Sequence, residues 1–217
     1  MRDCVIFDMD GVLIDSQPLH FDIDMEVLKA AGASPKRTDV ERRAGKANKD
    51  RWSEYKQEFL LSLSVEELIN LHVSILMRIF RETQLTPVDG IPELLTLLKE
   101  ARVKTAVASS SSLDLINLVL EKLNISNYFD AVITGEDVKN SKPEPDVFLK
   151  AVEILGSIPE NCVVIEDSSH GVLAAKRAGM YCIAYNNPTS GKQDLSPADT
   201  EIDSFNKINK DLYWLNN

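Results

Sequence analysis

Five short apolar segments alternate along this chain with longer helical patterns, and this alternation limits the possible folds most strongly. Each apolar segment is four or five residues long, as expected of parallel strands that are buried on both faces. The segments are Cys4–Phe7, Lys104–Ala108, Ala131–Thr134, Cys162–Ile165 and Tyr181–Tyr185. Strands that alternate with helices favour a parallel sheet with right-handed crossovers. The sequence therefore predicts an α/β fold, a Rossmann-like open parallel sheet with helices on both faces.

One long interval interrupts this alternation. Between the first and second predicted strands the sequence shows only helical patterns, at Leu19–Ala31, Asp39–Arg43, Lys49–Leu61 and Val65–Glu82. A helical insertion of this size is typical of a small second domain. We therefore predict an α/β catalytic core formed by residues 1–14 and 87–217, with residues 15–86 forming a helical cap inserted after the first strand.

Charge and hydropathy exclude several classes of partner. The 217 residues include 34 acidic and 24 basic side chains, which give a formal net charge of −10. An acidic protein of this kind is disfavoured as a binder of nucleic acid or of anionic membrane surfaces. No apolar run reaches the roughly 18 residues of a membrane span, and the N-terminus lacks the apolar centre of a signal peptide. We expect a cytoplasmic monomer with no nucleic-acid or membrane partner.

The three cysteines, Cys4, Cys162 and Cys182, are an odd number and show no CxxC spacing. Two of them adjoin β-branched residues in segments that are predicted to be buried strands. Buried cysteines of this kind usually act as small apolar residues. We expect three reduced thiols in the core, and no metal or redox site formed by them.

Polar side chains follow four of the predicted strands. In open α/β sheets, ligands bind beyond the carboxyl ends of the strands, so we expect these side chains to lie near one another. They are Asp8 and Asp10 after the first strand, Ser109, Ser110 and Ser111 after the second, Lys142 in the loop after the third, and Glu166 and Asp167 after the fourth. Each of these features is common alone, but their combination indicates a single site.

The combination has the chemistry of phosphoryl transfer. Clustered carboxylates remain ionised together only beside a cation, and hard oxygen ligands favour Mg²⁺. A carboxylate nucleophile beside a divalent metal can form an aspartyl-phosphate intermediate. Lys142 would offset negative charge on the nucleophile and on the phosphoryl group, and Ser109 could donate a hydrogen bond to a phosphoryl oxygen. Asp10 could protonate the departing alcohol and later deprotonate water.

Four segments resemble the haloacid dehalogenase-like phosphohydrolases, specifically their β-phosphoglucomutase-like branch. The segments are Asp8–Ser16, Val107–Ser110, Ser141–Phe148 and Glu166–Gly171. The resemblance covers nearly the whole chain and includes the helical insertion, which is similar to the cap of that family. It implies that Asp8 is the nucleophile and Asp10 the general acid/base. It also implies that the phosphate is bound by Ser109 and Lys142, to which we add the neighbouring Ser110.

The resemblance further implies a metal site. In that family Mg²⁺ would be held by Asp8, the backbone carbonyl of Asp10, and Asp167, with Glu166 as a further contributor. The family's sheet places the first and fourth strands side by side. Asp8 and Asp167 are therefore expected to meet at the point where the strand order reverses.

The cap bears on whether the protein is a phosphatase or a mutase. A mutase needs cationic groups on the cap, and Lys36–Arg51 holds seven bases against three acids, although a solvated helix face has the same composition. His20 matches a histidine that β-phosphoglucomutases link to cap closure. Against a mutase, Asn48 stands where those enzymes carry an arginine. The serine loop also continues as Ser112–Asp114, where those enzymes have Lys-Asn.

We therefore predict a Mg²⁺-dependent phosphomonoester hydrolase that acts through an aspartyl-phosphate intermediate on a small sugar or polyol phosphate. A β-phosphoglucomutase-type sugar phosphomutase is the alternative. The candidate substrate contacts from the cap are His20, Lys46, Asn48 and Trp52.

Two alternatives come from other functional classes. A phospho-accepting receiver domain uses similar groups, but it is about half this length and has a single-domain sheet. Its acceptor follows the third strand, where this chain has Gly135. A non-catalytic binding protein is the second alternative, and the presence of both Asp8 and Asp10 argues against it.

Overall fold

The computed structural model describes residues 2–43, 46, 48–208 and 212–215. The chain divides into two units. The α/β unit comprises Met1–Asp15 and Leu85–Asn217, and the helical unit comprises Ser16–Gln84. None of the described helices is both long enough and apolar enough to cross a membrane.

The α/β unit is built on a six-stranded parallel sheet. In chain order the strands are β1 (Cys4–Phe7), β2 (Lys104–Ala108), β3 (Ala131–Ile133), β4 (Cys162–Glu166), β5 (Tyr181–Tyr185) and β6 (Thr200–Ile202). In space they are ordered β3-β2-β1-β4-β5-β6, so β1 lies between β2 and β4. The strand order therefore reverses beside β1, which is where open α/β sheets bind ligands. The predicted fold class is confirmed.

Eight α-helices are present in the described part of the chain. Those of the helical unit are α1 (Gln17–Ala30), α2 (Arg37–Glu41), α3 (Asn48–Glu58) and α4 (Val65–Glu82). Those of the α/β unit are α5 (Ile91–Glu100), α6 (Leu113–Lys122), α7 (Asp146–Leu155) and α8 (Ser169–Arg177). After β6 the described residues form two short 3₁₀ turns, Phe205–Lys207 and Tyr213–Leu215.

Local sequence explains where several of these helices begin and end. Ser64 precedes α4 and accepts a hydrogen bond from the backbone N–H of Glu67, while the Glu67 carboxylate accepts one from the backbone N–H of Ser64. This reciprocal pair satisfies donors that would otherwise be unpaired at the start of the helix. Helix α7 is followed by Gly156, whose φ of 64° is the left-handed conformation that glycine adopts most easily.

The sheet is covered on both faces, which explains its continuous apolar strands. All four side chains of β1 are inaccessible to solvent. On one face, Phe148 of α7 and Val172 of α8 belong to the same buried cluster as Ile6 and Val164. Burial of each such side chain contributes about 1.5–3 kcal/mol. This packing fixes the carboxyl ends of β1 and β4 relative to each other.

The prediction of three reduced thiols was wrong for two cysteines. Cys4 of β1 pairs in register with Cys162 of β4, and the two Sγ atoms form a disulfide with the Cα atoms 4.9 Å apart. Residues directly opposite each other on neighbouring parallel strands project to the same face of a sheet. The spacing of the cysteines along the chain gives no information about this strand register. Cys182 is a buried free thiol.

Candidate active site

Asp8 leaves β1 at the carboxyl edge of the sheet, where it is almost completely buried. Its backbone N–H donates to the carbonyl of Ile165 over 2.9 Å, so that the pairing with β4 continues to Asp8 itself. The chain then turns sharply, and the N–H groups of Leu13 and Ile14 both donate to the carbonyl of Met9. Gly11 permits this turn with a φ of 82°. The turn keeps Asp8 and Asp10 at the same edge of the sheet.

Glu166 and Asp167 occupy the end of β4. Glu166 is fully buried, and its Oε2 accepts hydrogen bonds of 2.9 Å from the backbone N–H of Asp167 and from both the N–H and the hydroxyl of Ser168. Two glycines make room for the carboxylates. A Cβ on Gly11 would lie 1.9 Å from Asp167 Oδ2, and a Cβ on Gly171 would lie 1.7 Å from Glu166 Oε1. Both carboxylates therefore lie directly against backbone.

Lys142 reaches this edge from the loop between β3 and α7. Its ammonium donates to Asp8 Oδ1 and to Glu166 Oε1, each over 2.7 Å, and to the carbonyl of Ala108 over 3.1 Å. Burial lowers the pKa of Lys142, but the charges of Asp8 and Glu166 raise that pKa more, so the ammonium stays protonated. The lysine thereby joins β1, β2 and β4 at the centre of the site.

The combined negative charge of the clustered carboxylates is larger than the positive charge of Lys142. Asp8, Glu166 and Asp167 offer oxygen atoms that all lie within 4.8 Å of one another. Burial raises the pKa of Asp8 well above its ordinary value, although Lys142 partly lowers it. Burial, together with the charge of Glu166, raises the pKa of Asp167 to about 7. Lys142 therefore does not fully offset the burial and the neighbouring negative charges, and the hard oxygen donors fit a divalent cation such as Mg²⁺.

The serine run after β2 contacts the same edge. Ser109 is buried, and its hydroxyl accepts a hydrogen bond of 3.1 Å from the backbone N–H of Ser111, while Ser110 is exposed. The Ser111 hydroxyl donates to Asp10 Oδ2 over 2.9 Å. Ser111 was expected at this edge but was given no role, because three consecutive serines give no indication of which hydroxyl turns toward Asp10.

Two further polar residues at this edge were missed by the sequence analysis. The Ser190 hydroxyl donates to Asp167 Oδ2, and the Asn187 side-chain amide donates to the carbonyl of Gly11 over 3.0 Å. Both lie in the segment after β5. Its only signal in the sequence was its position at the carboxyl end of a predicted strand.

The four cap candidates lie in the helical unit, away from these residues along the chain. His20 is partly buried, with its ring centroid 5.9 Å from that of Phe80. Trp52 is fully buried and packs against Tyr55 and His72 at centroid distances of 5.2 and 5.5 Å.

Lys46 and Asn48 are exposed and contact neighbours within the helical unit. Lys46 forms an ion pair with Glu54, and Asn48 Oδ1 accepts a hydrogen bond of 2.6 Å from Arg51. Five of the seven bases between Lys36 and Arg51 have acidic partners within this unit. The pairs are Arg37 with Asp22 and Glu41, Arg42 with Asp39 and Glu58, Arg43 with Glu54 and Glu58, Lys46 with Glu54, and Arg51 with Asp24. Much of the positive charge in this segment is therefore balanced locally.

Comparison with known proteins relates this geometry to a family. Residues 5–185 match the family described as haloacid dehalogenase-like hydrolase. A phosphorylated carbohydrates phosphatase of Thermotoga maritima is 36% identical over 179 residues, which are 82% of each chain. Hexitol phosphatase B of Escherichia coli K12 is 31% identical over 219 residues, covering 95% of each chain. A crystal structure of β-phosphoglucomutase from Clostridium difficile has a TM-score of 0.80 at 28% identity, covering 100% of this chain and 96% of that one.

Proposed function

The chain belongs to the haloacid dehalogenase-like hydrolases, and we propose that it is a Mg²⁺-dependent phosphomonoester hydrolase for a small sugar or polyol phosphate. The observation that carries this proposal is the position of Lys142 Nζ, 2.7 Å from both Asp8 Oδ1 and Glu166 Oε1. The ammonium favours the ionised form of the buried Asp8 carboxylate, which is the form that a nucleophile needs.

In the first step, Asp8 attacks the phosphorus of the bound ester, and the bond from phosphorus to the alcohol oxygen breaks. Asp10 transfers its proton to that oxygen, so that a neutral alcohol departs and an aspartyl-phosphate remains. In the second step, Asp10 takes a proton from water as that water attacks the phosphorus. Inorganic phosphate is released and the Asp8 carboxylate is restored. Lys142 and Ser109 are proposed to bind the phosphoryl oxygens, with Ser110 beside them.

The metal ligands proposed for this site are Asp8, the backbone carbonyl of Asp10, and Asp167. A bound Mg²⁺ would neutralise these carboxylates and the phosphoryl oxygens together. Glu166 has a different set of contacts, because Oε1 accepts from Lys142 and Oε2 accepts from Asp167 and Ser168. These contacts support a role for Glu166 in holding Lys142 and the β4 terminus in place.

The helical unit supports hydrolysis over mutase activity. A mutase would need unpaired positive charge for a second phosphate, whereas Arg42, Arg43 and Lys46 are paired with Glu54 and Glu58. The names of the Thermotoga and Escherichia relatives support a sugar or polyol phosphate as substrate. The likeness to the Clostridium β-phosphoglucomutase over the full chain is the observation that favours the mutase as a second candidate.

The four cap candidates differ in what their surroundings support. Lys46 and Asn48 are exposed and remain proposed substrate contacts, as does the partly buried His20. Trp52 is enclosed by Tyr55 and His72, which supports a role in shaping the helical unit.

The proposal is tested by measuring phosphate release from a panel of sugar and polyol phosphates with Mg²⁺. The panel includes β-glucose 1-phosphate, with and without a glucose bisphosphate primer, so that isomerisation is detected as well. We expect multiple turnovers of hydrolysis, loss of activity in Asp8→Asn, and full activity in Asp114→Asn, which changes an exposed aspartate. Primer-dependent isomerisation without net hydrolysis would establish the mutase. Stoichiometric phosphorylation without phosphate release would establish a receiver-like protein.

A further inference from the structure

One segment of the α/β unit connects both loops that carry the proposed metal ligands. We call residues 187–193, which follow β5, the strap. At one point the strap reaches the loop after β1, where the Asn187 side-chain amide donates to the carbonyl of Gly11 over 3.0 Å. At another it reaches the end of β4, where the Ser190 hydroxyl donates to Asp167 Oδ2. Asn187 and Ser190 are only 4% and 8% exposed.

The strap is held in one conformation by its own hydrogen bonds. Asn187 Oδ1 accepts from the N–H of Thr189 over 2.9 Å and from its hydroxyl over 3.0 Å. The N–H of Ser190 donates to the carbonyl of Asn187 over 3.2 Å. Gln193 anchors the far end, since its amide nitrogen donates to the carbonyl of Ser190 and its Oε1 accepts from the N–H and hydroxyl of Ser169. The Ser190 hydroxyl is therefore directed by a rigid frame.

Asp167 is confined between the strap and the loop after β1. The oxygen that accepts from Ser190 is Oδ2, and this same atom would lie 1.9 Å from a Cβ placed on Gly11. The peptide of Gly11, in turn, is held through its carbonyl by Asn187. The Ser190 hydrogen bond and the close approach of the Gly11 backbone together limit the rotation of the Asp167 carboxylate.

We propose that Ser190 and Asn187 are positioning residues of the metal site, with Ser190 orienting the Asp167 carboxylate and Asn187 holding the Gly11 peptide next to Asp10. This inference rests on the proposed function, because it concerns the Mg²⁺ site of that hydrolase. Partners that orient a metal ligand typically contribute 10–100-fold to metal affinity. The strap would therefore preorganise the site without touching the ion.

The test is the Mg²⁺ affinity of Ser190→Ala, measured by isothermal titration calorimetry on the purified full-length protein. We expect the Kd for Mg²⁺ to rise about 10–100-fold, while kcat at saturating Mg²⁺ stays close to that of the wild type. Ser190→Thr retains the hydroxyl and is expected to restore the affinity. The matched control is Ser196→Ala. It removes an exposed hydroxyl that donates over 2.7 Å to Asp194, and it should leave Kd unchanged.

Asn187→Ala provides an independent second variant, because it removes the Gly11 contact and leaves Ser190 in place. We expect the Kd for Mg²⁺ to rise in this variant, as it does in Ser190→Ala. Wild-type Mg²⁺ affinity in folded Ser190→Ala and Asn187→Ala would overturn the inference, even if both variants unfold more easily, because the strap would then be merely structural. If the wild type neither binds Mg²⁺ nor hydrolyses any ester, the proposed function itself fails.

Discussion

Lys142 Nζ lies 2.7 Å from Asp8 Oδ1, and both side chains are at most 10% exposed. The two residues are 134 positions apart in the chain and meet because β1 lies at the centre of the sheet. An ion pair buried in this way depends on both partners, since the loss of one leaves an uncompensated charge. The pair thus couples the chemistry proposed for Asp8 to the stability of the α/β unit.

Lys142→Met is expected to abolish turnover and to lower the free energy of unfolding of the metal-free protein by about 3–5 kcal/mol. The reason is that Asp8 and Glu166 would both lose their buried positive partner. Urea denaturation measures the effect. Lys150→Met, at an exposed lysine of α7, is the control and should change the free energy of unfolding by less than about 1 kcal/mol. A similarly small effect of Lys142→Met would show that the pair contributes little.

Mg²⁺ is expected to stabilise the folded protein, because Asp8, Glu166 and Asp167 converge on one place with a single lysine between them. At a Mg²⁺ concentration of 100 times Kd, the gain in the free energy of unfolding should be about 2.7 kcal/mol. Thermal or urea unfolding in Mg²⁺ and in EDTA measures it. Asp167→Asn should lose most of the gain, whereas the exposed Asp114→Asn should keep it. A wild type that responds equally to Mg²⁺ and EDTA would contradict the metal site.

Gly171→Ala tests how closely Glu166 packs against α8. Alanine in a helix normally stabilises by about 1 kcal/mol relative to glycine. Here the new Cβ would lie 1.7 Å from Glu166 Oε1, so the carboxylate must move away from Lys142. We expect a loss of both stability and turnover. Gly135→Ala, whose new Cβ would lie no closer than 3.4 Å to its neighbours, is the matched substitution and should be tolerated. Stabilisation by Gly171→Ala would contradict the observed packing.

His72 gives the helical unit a specific pH dependence. Burial, followed by the positive charges of Arg51 and His20, lowers the pKa of His72 from 6.5 to about 3. The unfolded chain therefore binds a proton that the folded chain does not, and stability falls as the pH drops below 6.5. The neighbouring Asp24 has a raised pKa, chiefly from burial, and its contribution has the opposite sign, being lost as the pH rises through that pKa.

His72→Gln isolates the histidine from these other groups. As the pH falls from 6.5 to about 5, the wild type should lose stability relative to the variant. The difference between their free energies of unfolding should change by up to about 1.4 kcal/mol per pH unit. Urea denaturation at several pH values measures this difference. His170→Gln, which replaces an exposed histidine, is the control variant. Parallel pH profiles for wild type and His72→Gln would refute the buried neutral histidine.

The sequence was sufficient for features that depend on local pattern. Continuous apolar strands such as Cys4–Phe7 and the helix Val65–Glu82 were predicted with the bounds that the structure has. The residues at the strand ends could be named because parallel strands place their carboxyl ends at one edge. These predictions needed only periodicity and chain order.

Features that depend on register or on loop geometry were not accessible in this way. The disulfide between Cys4 and Cys162 requires the pairing of β1 with β4 residue by residue. The contact of Ser190 with Asp167 requires the path of the strap, and that path is set by hydrogen bonds around Asn187 that no periodic pattern encodes. Similarly, the sequence shows a segment rich in bases in the helical unit. It does not show that acidic side chains on α1 and α3 pair with these bases, because that pairing depends on how the helices pack.

The most direct test of the proposed mechanism is to identify the residue that carries the phosphoryl group. In Asp10→Ala the nucleophile is intact while the acid/base is absent, so turnover should fall about 10²–10⁴-fold and a covalent phosphoryl-enzyme should accumulate. Acid quenching and peptide mass mapping of this variant, after incubation with Mg²⁺ and an ester that the wild type hydrolyses, locates the modification. We expect the phosphoryl group on Asp8, and a phosphoryl group on any other residue would contradict the proposed mechanism.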